Sequence, residues 1–234
     1  MRLLVAGVLV LAAAPAAARG GGVAGDGNVT AQKRDVPAFD AVRLETFLDV
    51  VVKVGPPRSV TVRLDGNLQE LLTTTVENGV LVIDATKALR PTHDGVVEIE
   101  LPELRRFHAE GSGEVTIEGG KGPLELALDG SGNLRWRGEA SALRATIEGS
   151  GDLRLEGRAE TLRVTVEGSG DVDSTRLSAV NAEARVEGSG NVELSLAGGS
   201  LSAAVEGSGD ILWRGETRAE SVAVHGSGEV SRRK

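Results

Sequence analysis

Gly-Ser-Gly followed by Asp, Glu or Asn occurs seven times in the second half of this chain, starting at Gly111, Gly130, Gly149, Gly168, Gly188, Gly207 and Gly226. The steps are 19, 19, 19, 20, 19 and 19 residues. A unit this short cannot fold alone, so each repeat must bury itself against its neighbours. Counted from the first Gly as zero, position four is Val115, Leu134, Leu153, Val172, Val192, Ile211 and Val230. Position six holds Ile117, Trp136, Leu155, Ser174, Leu194 and Trp213, and pairs such as Leu126/Leu128, Val164/Val166 and Ala203/Val205 precede the motif. Two short strands of period two therefore converge on every motif. A 19-residue repeat at about 3.3 Å per residue gives a coil of roughly 60 Å contour, and coils stacked about 4.8 Å apart form parallel ladders. The expected fold is all-β, a right-handed parallel β-helix, the hand following from the crossover rule.

Strand parity carried through Val166-Glu167-Gly168-Ser169-Gly170-Asp171-Val172 puts both glycines on the inner side, with Glu, Ser and Asp outside. A glycine required there in every coil marks a corner, where a Cβ would crowd the inner wall or φ must be positive. This accounts for the motif without catalysis.

The remainder of the chain divides by composition. Arg2, the apolar run Leu3 to Ala14 and the small residues Ala16-Ala17-Ala18 describe a signal peptide over 1–18. Its removal with Arg2 takes the net charge from −8 to −9, a surface that repels nucleic acid and anionic lipid. Residues 19–35 are Gly-rich and read as a flexible tether. From 36 to 109 the alternations Val50-Val52-Val54, Val60-Val62-Leu64, Val80-Val82 and Val97-Ile99-Leu101 are separated by turn residues such as Asp65-Gly66-Asn67 and Asn78-Gly79. These strands form a cap or irregular first coils, a separate small β domain being the competing reading. The repeats fill 110–231, and the basic tail 232–234 is placed to blunt the last coil's open edge. With no Cys, disulfides, thiolate zinc sites and cysteine nucleophiles are excluded.

The outward columns carry what functional content the repeats have. Glu110, Asp129, Glu148, Glu167, Glu187, Glu206 and His225 precede the motif; Glu114, Asn133, Asp152, Asp171, Asn191, Asp210 and Glu229 follow it. Like charges stacked at strand spacing in water repel by roughly 0.9 kcal/mol per neighbouring pair before screening. Either solvent and salt absorb this, or cations do. Asp152 and Asp171, with Glu148 and Glu167 beside them, are the candidate Ca²⁺ ligands. Parallel β-helices also include polysaccharide-active enzymes, which need a carboxylate pair and aromatic sugar platforms. Trp136 and Trp213 fall on an inward column, His93, His108 and His225 are scattered, and no nucleophile elbow, phosphate loop or HExxH occurs.

The repeats, preceded by Phe39-Asp40-Ala41-Val42 and by Val97-Glu98-Ile99-Glu100-Leu101-Pro102-Glu103-Leu104, resemble the bacterial family called putative auto-transporter adhesin, head GIN domain, over about residues 36 to 230. The resemblance implies an exported β-helical protein of the cell envelope, periplasmic or secreted. It carries over no active site and no functional residues. It points to an adhesin-like binding or structural module without catalytic activity, whose partner is a polymer, glycan or protein, with no nucleic acid and no membrane span after signal cleavage. A polysaccharide-active enzyme is the alternative. No ~10-residue barrel strands follow the last motif, so export is expected to rest on the signal peptide alone. Intact-mass analysis of exported protein should show a start at or near Arg19; a mature species that keeps residues 1–18 would refute the leader.

Overall fold

The computed structural model describes residues 21–233, so the expected leader lies outside the described residues. The first half contains β1 (Val23–Ala24), β2 (Val29–Arg34), β3 (Ala41–Leu44), β4 (Asp49–Val54), β5 (Ser59–Asp65), β6 (Leu72–Glu77), β7 (Val80–Ala85), β8 (Leu89–Arg90) and β9 (Val96–Leu101). The repeats follow as β10 (Arg106–Gly111), β11 (Glu114–Glu118), β12 (Leu124–Gly130), β13 (Asn133–Gly149), β14 (Asp152–Gly168) and β15 (Val172–Gly188). They end with β16 (Val192–Ala197), β17 (Ser200–Gly207), β18 (Ile211–Glu216), β19 (Ala219–Gly226) and β20 (Val230–Arg232). One 3₁₀ turn, Gly66–Leu68, is the only helical element among the described residues.

The strands stack into a β-solenoid, as the repeat requires. One parallel ladder, before the motif, runs β7, β3, β10, β12, the second halves of β13, β14 and β15, then β17 and β19. The other, after it, runs β9, β4, β11, the first halves of β13 to β15, then β16, β18 and β20. Alternate side chains from both ladders meet inside. The position-four column from Val115 to Ile211 is at most 1% exposed, and Trp136 and Trp213 fill the same interior. An aliphatic core serves because stacking packs each inward residue against its column neighbours in the coils above and below.

The Gly-Ser-Gly corner works as the parity argument expects, with one refinement. Ser169 is exposed and Gly170 buried, but a Cβ on Gly170 would run into the backbone carbonyl oxygen of Gly151 in the preceding coil, and only secondarily into Ile147. Backbone, not core volume, excludes the side chain. Gly168 is needed for two reasons, since a Cβ there would run into the Gly149 carbonyl oxygen of the preceding coil and its φ of +129° is one that L side chains rarely adopt.

The register of β3 on β10 and of β4 on β11 shows an eighth corner, Glu45-Thr46-Phe47-Leu48-Asp49, stacked beneath Glu110 to Glu114. Leu48 stands where the repeats have their second Gly. No repeat coil lies beneath it, and its side chain turns into the core, 2% exposed. Residues 36–109 thus supply both a first coil and a cap. Antiparallel pairings of β5 with β9, β2 with β5 and β6 with β7 close that end, within one hydrogen-bonded sheet and one core.

The tether expected over 19–35 is corrected over its described part. β1 pairs with β8, and β2 pairs with β5 along its whole length. Glycine content in the flanking residues masked a strand whose bonding partners come from far along the chain. Asp65 accepts the Gly27 N–H at 2.8 Å and the Thr92 hydroxyl at 2.6 Å. Asn67 donates to the Ala24 carbonyl, and the Gln69 amide donates to the Thr30 carbonyl. The Thr92 hydroxyl, then its N–H, hold the Asp65 carboxyl below its ordinary pKa.

The opposite end of the stack is open. Every residue of β19 is exposed, and Val222 and Val224, in the columns of buried Ala203 and Val205, are 46% and 39% exposed. On the other ladder Arg232 lies 5.0 Å from the Trp213 ring and Arg233 pairs with Glu193 at 3.2 Å, so the basic tail covers that side only. Replacing Gly170 by Leu should cost about 1–3 kcal/mol by forcing adjacent coils apart, whereas Ser169→Leu should stay within about 0.5 kcal/mol. Equal losses in thermal melting would refute the corner assignment.

Candidate functional site

The column after the motif has a structural task that its composition reveals only in retrospect. At the corner the strand ladder is interrupted, and the outward N–H of each new coil needs an acceptor. Asp152 Oδ1 accepts the Asp171 N–H at 3.4 Å, Asp171 Oδ1 the Asn191 N–H at 2.8 Å, Asn191 Oδ1 the Asp210 N–H at 3.2 Å and Asp210 Oδ1 the Glu229 N–H at 2.8 Å. In the first coil Asp49 does the same for Glu114, at 2.9 Å. Asn133 and Asp152 instead donate their N–H groups to the Gly113 and Gly132 carbonyls. Short Asp and Asn side chains reach the next coil. Glu stands at 114 and 229, neither of which is an acceptor in this ladder.

This ladder borders a groove of about 730 Å³ on the outer face of the strands that follow the motif, extending from Glu114 to Asp210. Its other side is the position-five column, in which Arg135, Arg154, Asp173, Glu193 and Leu212 are successive neighbours. Arg154 pairs with Asp173 at 3.3 Å, while Arg135 has no ion-pair or hydrogen-bond partner among the described residues.

The single 20-residue step shapes the groove locally. Register shifts between Arg154 and Glu156, where β15 carries one residue more than β14, and the bulge projects Thr175. Asp173 Oδ1 accepts the Thr175 N–H at 3.0 Å and its hydroxyl at 2.7 Å. Partial burial would raise the Asp173 pKa, but those bonds and the Arg154 guanidinium outweigh it and hold the carboxyl below its ordinary value. The stability this contributes is present above the unfolded carboxyl's pKa and is lost as pH falls through the depressed one. Behind the bulge Ser174 is fully buried and donates to the Glu193 carbonyl at 2.7 Å. That bond explains a serine in an otherwise apolar column.

The four residues singled out as Ca²⁺ ligands are all exposed and fall in two columns. Asp152 and Asp171 belong to the hydrogen-bonded ladder after the corner. Glu148 and Glu167 are register partners on the ladder before it. Asp171 Oδ1 takes two bonds from Asn191, one backbone and one side chain. Among the described residues no group of three or more His, Cys, Asp or Glu side chains is placed to hold a metal ion. In the pre-motif column His108 is hydrogen-bonded to Asp129 at 2.7 Å, and Arg185 lies between Glu187 and Glu206 and offsets part of their charge. Sequence reasoning missed Asp49, whose signal was the Val50 and Val52 pair at positions four and six. It also missed Arg135, which pattern alone could not mark as unpartnered.

A family profile described as putative auto-transporter adhesin, head GIN domain, matches residues 38–217. The fold is similar to that of a putative adhesin from Bacteroides fragilis, with a TM-score of 0.86 and 23% identity, covering 91% of this chain and 100% of that one. It is similar to a putative lipid binding protein from Parabacteroides distasonis, with a TM-score of 0.74, 23% identity and coverage of 91% and 99%. A putative adhesin from Parabacteroides merdae gives 0.71 and 20%, with coverage of 91% and 99%. These identities show a common fold. No curated protein matches the sequence. With the family profile spanning more than half of its residues, the chain belongs to the putative auto-transporter adhesin, head GIN domain, family.

Proposed function

We propose that this protein is an exported, adhesin-like binding module of the cell envelope that holds an extended polymer in the groove after the corner. The observation that carries the reading is the groove's form: about 730 Å³, open along successive coils, with amide, carboxylate and guanidinium groups repeating at strand spacing. A chain-like ligand meets such a surface once per coil, and many weak contacts add up. The adhesin names in the family and among its structural relatives fit this reading. No helix among the described residues is long and apolar enough to cross a membrane. A polysaccharide-cleaving enzyme would need an exposed aromatic platform beside its carboxylates, and both tryptophans are buried.

Asn133 and Arg135 are the residues to change, because neither side chain supports the stack. In native gels containing soluble xylan, pullulan or glycol chitosan, migration of the protein should be retarded by at least one polymer. Asn133→Ala with Arg135→Ala should reduce that retardation about fivefold while leaving Tm unchanged. Retardation by none of the three polymers, or equal retardation of the double variant, overturns the proposal.

The acidic columns bear on this reading only through cations. The hydrogen bonds of Asp152 and Asp171 favour a solvated structural face, so CaCl₂ and NaCl at matched ionic strength should shift Tm alike. A larger shift in CaCl₂, removed by Asp152→Asn with Asp171→Asn, would instead assign a Ca²⁺ site there.

A further inference from the structure

The outer surface follows a pairing rule: an arginine in one coil meets an acid in the next. Arg106 pairs with Glu125 at 3.0 Å, Arg154 with Asp173 at 3.3 Å, Arg176 with Glu156 at 3.4 Å and Arg185 with Glu206 at 2.9 Å, while Arg163 pairs closely with Glu183. The rule fails at two pairs of direct register partners, Arg135 with Arg154 in the groove described above and Arg144 with Arg163. Glu125, on the other side of Arg144 in the same column, is taken by Arg106, and Glu183 holds Arg163. Arg144 is left without a partner among the described residues, beside a like charge. Such a juxtaposition is destabilising, and a local rule broken without structural gain marks a place where function is to be sought.

The break at Arg144 lies over a second groove, of about 400 Å³, on the ladder before the motif and at the end of the strands remote from the corner. Pro123, Leu124, Ala142 and Leu143 make an apolar floor, and Arg105, Arg144 and Arg163 stand around it with Thr161 and with Glu125, whose carboxylate Arg106 holds. Arg105 is itself oriented by Glu103 at 2.9 Å and Asp40 at 3.4 Å. Three guanidinium groups thus share one cleft on a protein of net charge −8. Guanidinium presents paired donors that match the oxygens of a sulfate or phosphate, and adjacent guanidiniums cease to repel when such a group lies between them.

We propose that this cleft binds a sulfate or phosphate group carried on an extended glycan, with Arg144 as the principal contact and Arg163 and Thr161 beside it. A glycan fits better than a membrane. A planar anionic bilayer would meet the acidic remainder of the surface, whereas a polymer strand can enter the cleft alone. The site is separate from the groove after the corner, so either can fail without the other.

The test uses the full mature chain and fluorescein-labelled dextran sulfate, with uncharged dextran as reference, read by anisotropy at two salt concentrations. Dextran sulfate should bind and dextran should not, with affinity falling as salt rises. Arg144→Gln should weaken binding about tenfold and Arg163→Gln by less, while Arg218→Gln on the last coil should leave it unchanged. Without ligand, Arg144→Gln should hold or raise Tm, since a repulsion is removed; a lowered Tm would mean a structural role and overturn the assignment. Equal loss in all the arginine variants would reduce the binding to general charge and also overturn it. Binding to phosphatidylglycerol vesicles but not to dextran sulfate would replace the glycan by a lipid surface and refute the proposal as stated.

Discussion

Each coil rests on the one before it at hydrogen-bonding distance, and at the corner that distance leaves no space for a β-carbon. From this the motif follows. Both glycines are set by the carbonyl oxygen beneath them, and the first also by a backbone turn with positive φ. The serine between them faces solvent and is free. From Asp152 onward, as at Asp49, the acid or amide after the corner accepts the next coil's N–H, so that these corners are closed by side chains. Regular stacking then makes an aliphatic interior sufficient. Valine and leucine recur above valine and leucine, and in the repeats after the first coil the only buried aromatics are Trp136 and Trp213 among the described residues, with Phe39 and Phe107 at the capped end.

The repeating half of the molecule was readable because its constraint is local and periodic. Val115, Leu134, Leu153 and Val172 announce an inward column by parity alone, and the period of the motif places them in register. The first half was harder for the same physical reason in reverse. With no repeat coil under Leu48, the glycine requirement lapses, and the first corner carries Thr46-Phe47-Leu48 with no trace of the motif except the acids on either side. The segment around Gly25 and Gly27 read as slack chain because its bonds run to Asp65, Asn67 and Arg90. Composition cannot display partners nearly 40 residues or more away.

The surface was legible as two lists of charges but not as chemistry. The columns of Asp152 and Glu148 are real, yet the first is engaged with backbone N–H groups and the second runs beside His108 and Arg185. What decides whether a charge is available is its neighbour in the adjoining coil. That neighbour stands 19 or 20 positions away, and its rotamer is absent from the sequence. Arg135 and Arg144 become conspicuous only when every other arginine of their columns has been seen to hold an acid.

The extra residue at Thr175 shows how such an architecture absorbs change. One added position in β15 is taken up by a bulge, and the ladders on both sides resume their register within a few residues. Because a coil touches only the coils next to it, whole 19-residue units can in principle be gained or lost through duplication without redesign of the rest. The outer grooves would then lengthen in increments of about 4.8 Å. The reach of this protein along a ligand is therefore an integer, counted in coils, and evolution can adjust it one step at a time.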